Sequence, residues 1–175
     1  MNIYYHISSV TGNTLFLANA VLAGLESQGH TLQRTPAGAD LMLLFFWCRK
    51  GSMDLKSLAL VDTLPAGPVI ALGTMGYYPD SEYGNMVREQ VASYINKIEG
   101  LSCLGVFTCQ GRIPAEKTER RRALPPTSKH YLDDEGYRRH LEARNHPNEE
   151  DCKDAIRFLH GLLPDESSVQ IHSLT

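Results

Sequence analysis

The sequence predicts an α/β fold, a doubly wound parallel sheet with helices on both faces, and three observations predict it. Short, nearly continuous apolar runs at 3–7, 41–46, 69–72 and 104–107 read as strands buried on both faces. Helical patterns lie between them, so strand and helix alternate along the chain as they do in a parallel sheet with crossover helices. The first run also passes straight into a polar, glycine-containing loop and then a helix, a layout that puts a ligand beyond the carboxyl ends of the strands.

The first strand, 3–7, leads to a helix over 14–28 whose inward face is Leu15, Ala18, Val21, Leu22 and Leu25, with Gly29 as its C-cap. Residues 31–34 form a weaker edge strand. The third strand, 41–46, ends at Trp47, and a helix over 53–64 carries the chain to the fourth strand at 69–72. A helix over 80–98 presents Val87, Val91, Tyr94, Ile95 and Ile98 inward, and the fifth strand follows at 104–107. Residues 111–147 are then a charged excursion containing Pro125, Pro126 and Pro147, with helical patches at 115–124 and 132–144. The last helix opens on Asn148-Glu149-Glu150-Asp151, acidic at its positive end, and turns Ala155, Ile156, Leu159 and Leu163 inward.

A chain of 175 residues buries one substantial core, so a single domain over 1–175 is expected, with 111–147 as an excursion before the last helix. The net charge of −3 is spread evenly and leaves no basic face for nucleic acid. No basic n-region or long apolar h-region opens the chain, and no apolar stretch approaches bilayer length; a cytoplasmic protein without membrane attachment is expected. Cys48, Cys103, Cys109 and Cys152 lack CxxC spacing and read as reduced thiols, with Cys103 and Cys152 buried and inert. Arg120, Arg121 and Arg122 point around a helix and read as solvated surface, with docking of an acidic partner as the second reading. His130, His140 and His146 accompany Asp133, Asp134 and Glu142 at irregular spacing, which favours solvated side chains over a metal site.

Residues 8–14, Ser-Ser-Val-Thr-Gly-Asn-Thr, carry the most chemistry. Delivered by a strand to a helix N-terminus, such a loop offers unpaired N–H groups and the positive end of the helix dipole to a phosphate. Ser8, Ser9, Thr11 and Thr14 supply hydroxyls and Asn13 an amide, while Gly12 permits a positive φ or a close backbone approach. No Lys or Arg lies in the loop, and Gly12 is followed by Asn13 rather than the lysine of a triphosphate loop, so nucleoside triphosphates are disfavoured.

Two more loops converge on the same end of the sheet. Trp47 followed by Cys48-Arg49-Lys50-Gly51-Ser52 offers an indole wall for a planar ring, and Gly51 a peptide free to flip. Gly73-Thr74-Met75-Gly76-Tyr77-Tyr78-Pro79-Asp80 combines backbone donors at Thr74, Met75 and Gly76 with two phenol rings, Tyr77 and Tyr78.

Together these residues resemble the flavodoxin superfamily, through the Ser9-x-Thr11-Gly12-Asn13-Thr14 loop, the Phe46-Trp47…Gly51 loop, the 73–81 loop and Cys109-Gln110-Gly111 after the fifth strand. The resemblance implies a five-stranded parallel sheet of order 2-1-3-4-5 and non-covalent FMN. It assigns Ser9, Thr11, Gly12, Asn13 and Thr14 to the phosphate and the 73–78 loop to the ring, with Cys109, Gln110 and Gly111 beside it. It implies an electron carrier between a reductase and a redox partner enzyme, the alternative being an FMN-dependent NAD(P)H oxidoreductase acting on a quinone-like or other small acceptor. No nicotinamide-recognition motif stands out. The chain departs from small carriers in two ways: three residues separate Trp47 from Gly51, and Arg49, Lys50 and Arg112 place basic charge near the site, which stabilises a reduced anion and raises the potential.

Overall fold

The computed structural model describes residues 1–163; the remainder of the expected domain, 164–175, lies outside the described residues. In chain order the elements are β1 (Asn2–Ile7), α1 (Asn13–Ser27), β2 (Thr31–Gln33), β3 (Leu41–Arg49), β4 (Ser52–Met53), α2 (Leu55–Val61), β5 (Gly67–Met75), α3 (Glu82–Asn96), β6 (Leu101–Gln110), α4 (Ala115–Arg122), α5 (Asp134–Glu142), a 3-10 turn (Ala143–Asn145) and α6 (Glu149–His160). Five parallel strands lie in the order β2-β1-β3-β5-β6, which is the expected 2-1-3-4-5 when the parallel strands are counted along the chain. The order reverses between β1 and β3, so loops leaving β1, β3 and β5 meet at one end.

Side-chain alternation along the strands feeds two cores. Ile3, Leu41, Leu43, Phe45, Ile70 and Leu72 pack against Leu17, Val21 and Leu25 of α1 and Ala155 and Leu159 of α6. On the opposite face Met42, Leu44, Phe46, Val69 and Ala71 meet Val61 of α2 and Val87, Val91 and Ile95 of α3. Phe46 and Gly73 show how closely the second core is filled. A Cβ on Gly73 would lie 2.3 Å from Phe46 Cζ.

Several expectations are corrected. The segment after Trp47 is a hairpin: β3 runs on to Arg49 and pairs antiparallel with β4 through Cys48↔Met53 and Arg49↔Ser52. Lys50 and Gly51 both take positive φ, 50° and 84°, as a two-residue turn of the I′ form requires, and glycine is the residue that adopts it without strain. Leu15, expected inward, is 45% exposed, and Leu17 takes its place in the core. Cys103 is half-buried, and His140, expected in solvent, is 2% exposed between α4 and α5 with Nδ1 3.0 Å from Thr118 Oγ1. Among the described residues no helix is long and apolar enough to cross a membrane, and no three His, Cys, Asp or Glu side chains converge as metal ligands.

Candidate cofactor site

The loop between β1 and α1 is rooted before it opens. Ser8 N donates to Phe45 O at 2.8 Å and Ser8 Oγ donates to Asp54 Oδ1 at 2.8 Å, so the chain leaves the sheet from a fixed point. Gly12 then takes φ 86° as the N-cap of α1, without a side-chain cap and without an acidic residue in the first turn. A Cβ there would meet nothing within 4 Å, so glycine is demanded by the backbone angle and not by crowding. Ser9 Oγ accepts from Leu15 N at 3.3 Å, whereas the N–H groups of Thr11, Gly12, Asn13 and Thr14 have no acceptor among the described residues. Four free donors at a helix N-terminus, two flanking hydroxyls and no carboxylate fit a phosphate monoester.

Thr14 plays a second part. At 1% exposure its hydroxyl lies 2.8 Å from Thr74 Oγ1 and donates to Phe46 O at 3.4 Å, joining α1 to the ends of β3 and β5. Asn13 Nδ2 donates to Arg112 O at 2.9 Å and to Thr11 Oγ1 at 3.1 Å, so the exit of β6 and the loop hold each other. Gly111 is where they touch. A Cβ on it would fall 2.9 Å from Asn13 Nδ2 and 3.3 Å from Thr74 Cβ.

Sheet register sets Trp47, Thr74 and Cys109 side by side at the carboxyl ends of β3, β5 and β6. Trp47 is half-buried and, with Ser8, Ser9 and Val10, lines a cavity of about 420 Å³ beside the loop. Gly51 is not beside Trp47 but at the hairpin turn, where a Cβ would sit 3.3 Å from Met86 Cε of α3. Met75 and Cys109, at 3% and 2% exposure, belong to the two cores, and burial drives the Cys109 thiol pKa well above its ordinary value. Cys109 is thus strand-end packing, its side chain turned toward α1 and α6. Gln110 is 5% exposed with Nε2 unpartnered, a buried amide donor directly across the ladder from Met75.

The tyrosine loop is held by the excursion. Arg139 of α5 stacks 4.2 Å from the centroid of Tyr77, whose ring also meets Tyr78 and Tyr83 edge-on at 5.8 and 5.3 Å. Tyr78 Oη donates to Glu142 Oε2 at 2.6 Å, and that carboxylate raises the Tyr78 pKa. Gly76 abuts Ile113, and Arg112 Nε donates to Arg144 O at 2.9 Å. Sequence reading missed Asp54, Arg139 and Glu142. Asp54 carries a readable N-cap signal, an acid ahead of an apolar helical run, and it accepts from Lys56 N and Ser57 N. Arg139 and Glu142 reach the loop from more than sixty residues away, and no local pattern announces them.

The sequence finds no match among curated proteins. Among solved structures the chain is similar to a flavodoxin from the domain Archaea, at 17% identity and a TM-score of 0.49, covering 87% of this chain and 99% of that one. It is also similar to the two-electron reduced flavodoxin of Megasphaera elsdenii, at 15% identity and a TM-score of 0.49 over 84% of this chain and 100% of that one. The NAD(P)H:quinone oxidoreductase of Methanothermobacter marburgensis matches at 12% identity and a TM-score of 0.49 over 84% and 94% of the two chains. A family model described as a flavodoxin domain matches residues 2–160, and the chain belongs to that family.

Proposed function

We propose that this chain is an FMN-binding electron-transfer protein that passes electrons between a reductase and a redox partner enzyme. The flavodoxin domain family binds FMN. The observation that carries the reading for this chain is the set of free N–H groups at Thr11, Gly12, Asn13 and Thr14, opened by the positive φ of Gly12. In the proposed site Ser9, Thr11, Gly12, Asn13 and Thr14 hold the phosphate, and Ser8 fixes the root of their loop. Trp47, Thr74, Gly76, Tyr77, Tyr78 and Gln110 border the ring, Gly111 lets the backbone come close, and Met75, Cys109 and Gly51 support these from behind. Bound FMN supplies one- and two-electron redox chemistry.

The protein's part is to bind, orient and exclude water. Arg139 and Glu142 fix the tyrosine loop from the side of α5. Thr11→Glu tests the cradle, because a carboxylate against the phosphate weakens FMN affinity severely; unchanged affinity refutes the phosphate assignment. Mixing the FMN-loaded protein with NADH or NADPH alone leaves the flavin of a carrier oxidised, and direct bleaching by either nucleotide assigns the oxidoreductase reading instead.

A further inference from the structure

We propose that the cleft between the 8–14 loop and the β3–β4 hairpin docks an acidic segment of the protein redox partner that also presents an apolar side chain. This rests on the electron-transfer reading, because the cleft shares Ser8, Ser9 and Trp47 with the proposed cofactor site. Its lips are Val10 and Leu55, 76% and 61% exposed, the two most exposed large hydrophobic side chains among the described residues. Sheet packing does not require two such side chains to meet at one opening, and a partner surface does.

The charge of the wall selects the partner. Arg49 and Lys56 line the cleft, and neither makes an ion pair among the described residues. The one carboxylate in the wall, Asp54, is 2% exposed and spent inward: it accepts from Ser8 Oγ, Lys56 N, Ser57 N and Ser57 Oγ. His6 is half-buried in the same wall, and burial, ahead of Arg34 and Lys56, lowers its pKa although Asp54 opposes this, so it is neutral at pH 7. The opening is therefore cationic on a chain whose net charge is −3. Val10 and Leu55 line the cavity yet stay mostly exposed, and a protein face covers them together with the cations.

The test uses the full isotope-labelled chain, with and without FMN, and three probes: a hexapeptide with a Leu-Phe centre flanked by two glutamates on each side, the same peptide with lysines for glutamates, and benzoate. The acidic peptide is expected to shift the amide signals of Val10 and Leu55 and the indole N–H of Trp47, with affinity falling as salt rises. Arg49→Glu/Lys56→Glu weakens it at least tenfold, and Lys56→Glu alone, at an exposed position, weakens it less in the same direction. Shifts centred on 120–122, no shifts, or equal binding of the lysine peptide overturn the proposal. Tighter saturation of the same signals by benzoate overturns it in favour of a small-molecule site. Because the readout is recorded without FMN as well, failure of the docking surface is distinguishable from failure of the cofactor reading, which the Thr11→Glu titration decides.

Discussion

Lowering the pH from 7 to 5 weakens the packing of α4 on α5, and His140 is the group to follow. Its side chain is 2% exposed against fully buried Thr118, and burial, followed by the charges of Arg121, Arg139 and Lys117, lowers its pKa from 6.5 to about 4. Between these values the unfolded chain binds a proton that the folded chain refuses. Stability is therefore intact above about pH 6.5 and is lost as the pH falls toward 4. At pH 5 the unscreened loss is about 2 kcal/mol, taking about 1.4 kcal/mol per pKa unit. Solvent around the three cations screens part of their repulsion, which leaves an expected loss of about 1–1.5 kcal/mol. His140→Gln can still bond Thr118 but does not titrate. Urea unfolding of both proteins at pH 7 and pH 5 reads the effect, since all other titrations cancel in the difference. The wild type loses about 1–1.5 kcal/mol more than the variant on acidification. A gap between the two proteins that stays constant from pH 7 to 5 refutes the claim that burial keeps His140 neutral.

Other substitutions probe the joints of the site. Gly111→Ala drives a methyl against Asn13 Nδ2 and Thr74 Cβ, and a fluorescence titration should show FMN affinity lower by about tenfold, equivalent to about 1.4 kcal/mol; an unchanged constant shows that Asn13 does not need its present place. Gly73→Ala places a Cβ inside the Phe46 ring contact and is expected to cost about 1–3 kcal/mol in urea unfolding, a neutral result showing that β3 and β5 separate freely. Glu142→Gln removes the carboxylate that raises the Tyr78 pKa, so a spectrophotometric titration should move one phenol to lower pH, and an identical curve rules out the Tyr78–Glu142 contact in solution.

How much of this was legible in the sequence depended on range. The strands announced themselves because burial on both faces demands apolar runs, and the predicted 41–46 and 69–72 lie inside β3 and β5. Their ends did not, because Trp47, Cys48 and Arg49 continue β3 through hairpin pairing with β4, and the positive φ of Lys50, unlike that of Gly51, has no residue signature. The turn at 8–14 into α1 was readable since cap geometry and donor chemistry are local. What holds the tyrosine loop was not: Arg139 and Glu142 act through tertiary contacts with Tyr77 and Tyr78. His140 was misread for the same reason, as the polar sequence around it hides a contact with Thr118 across the α4–α5 turn. Gly111, expected beside the ring, packs against Asn13 and Thr74, a crowding that only a residue without a side chain accommodates.

The central claim, that the free N–H groups of residues 11–14 hold the phosphate of FMN, is tested most directly by one spectrum. Protein purified with excess FMN and then desalted is expected to retain the visible flavin bands at about one FMN per chain, with Thr11→Glu losing them under the same treatment. A desalted wild-type protein with no visible absorption contradicts the account.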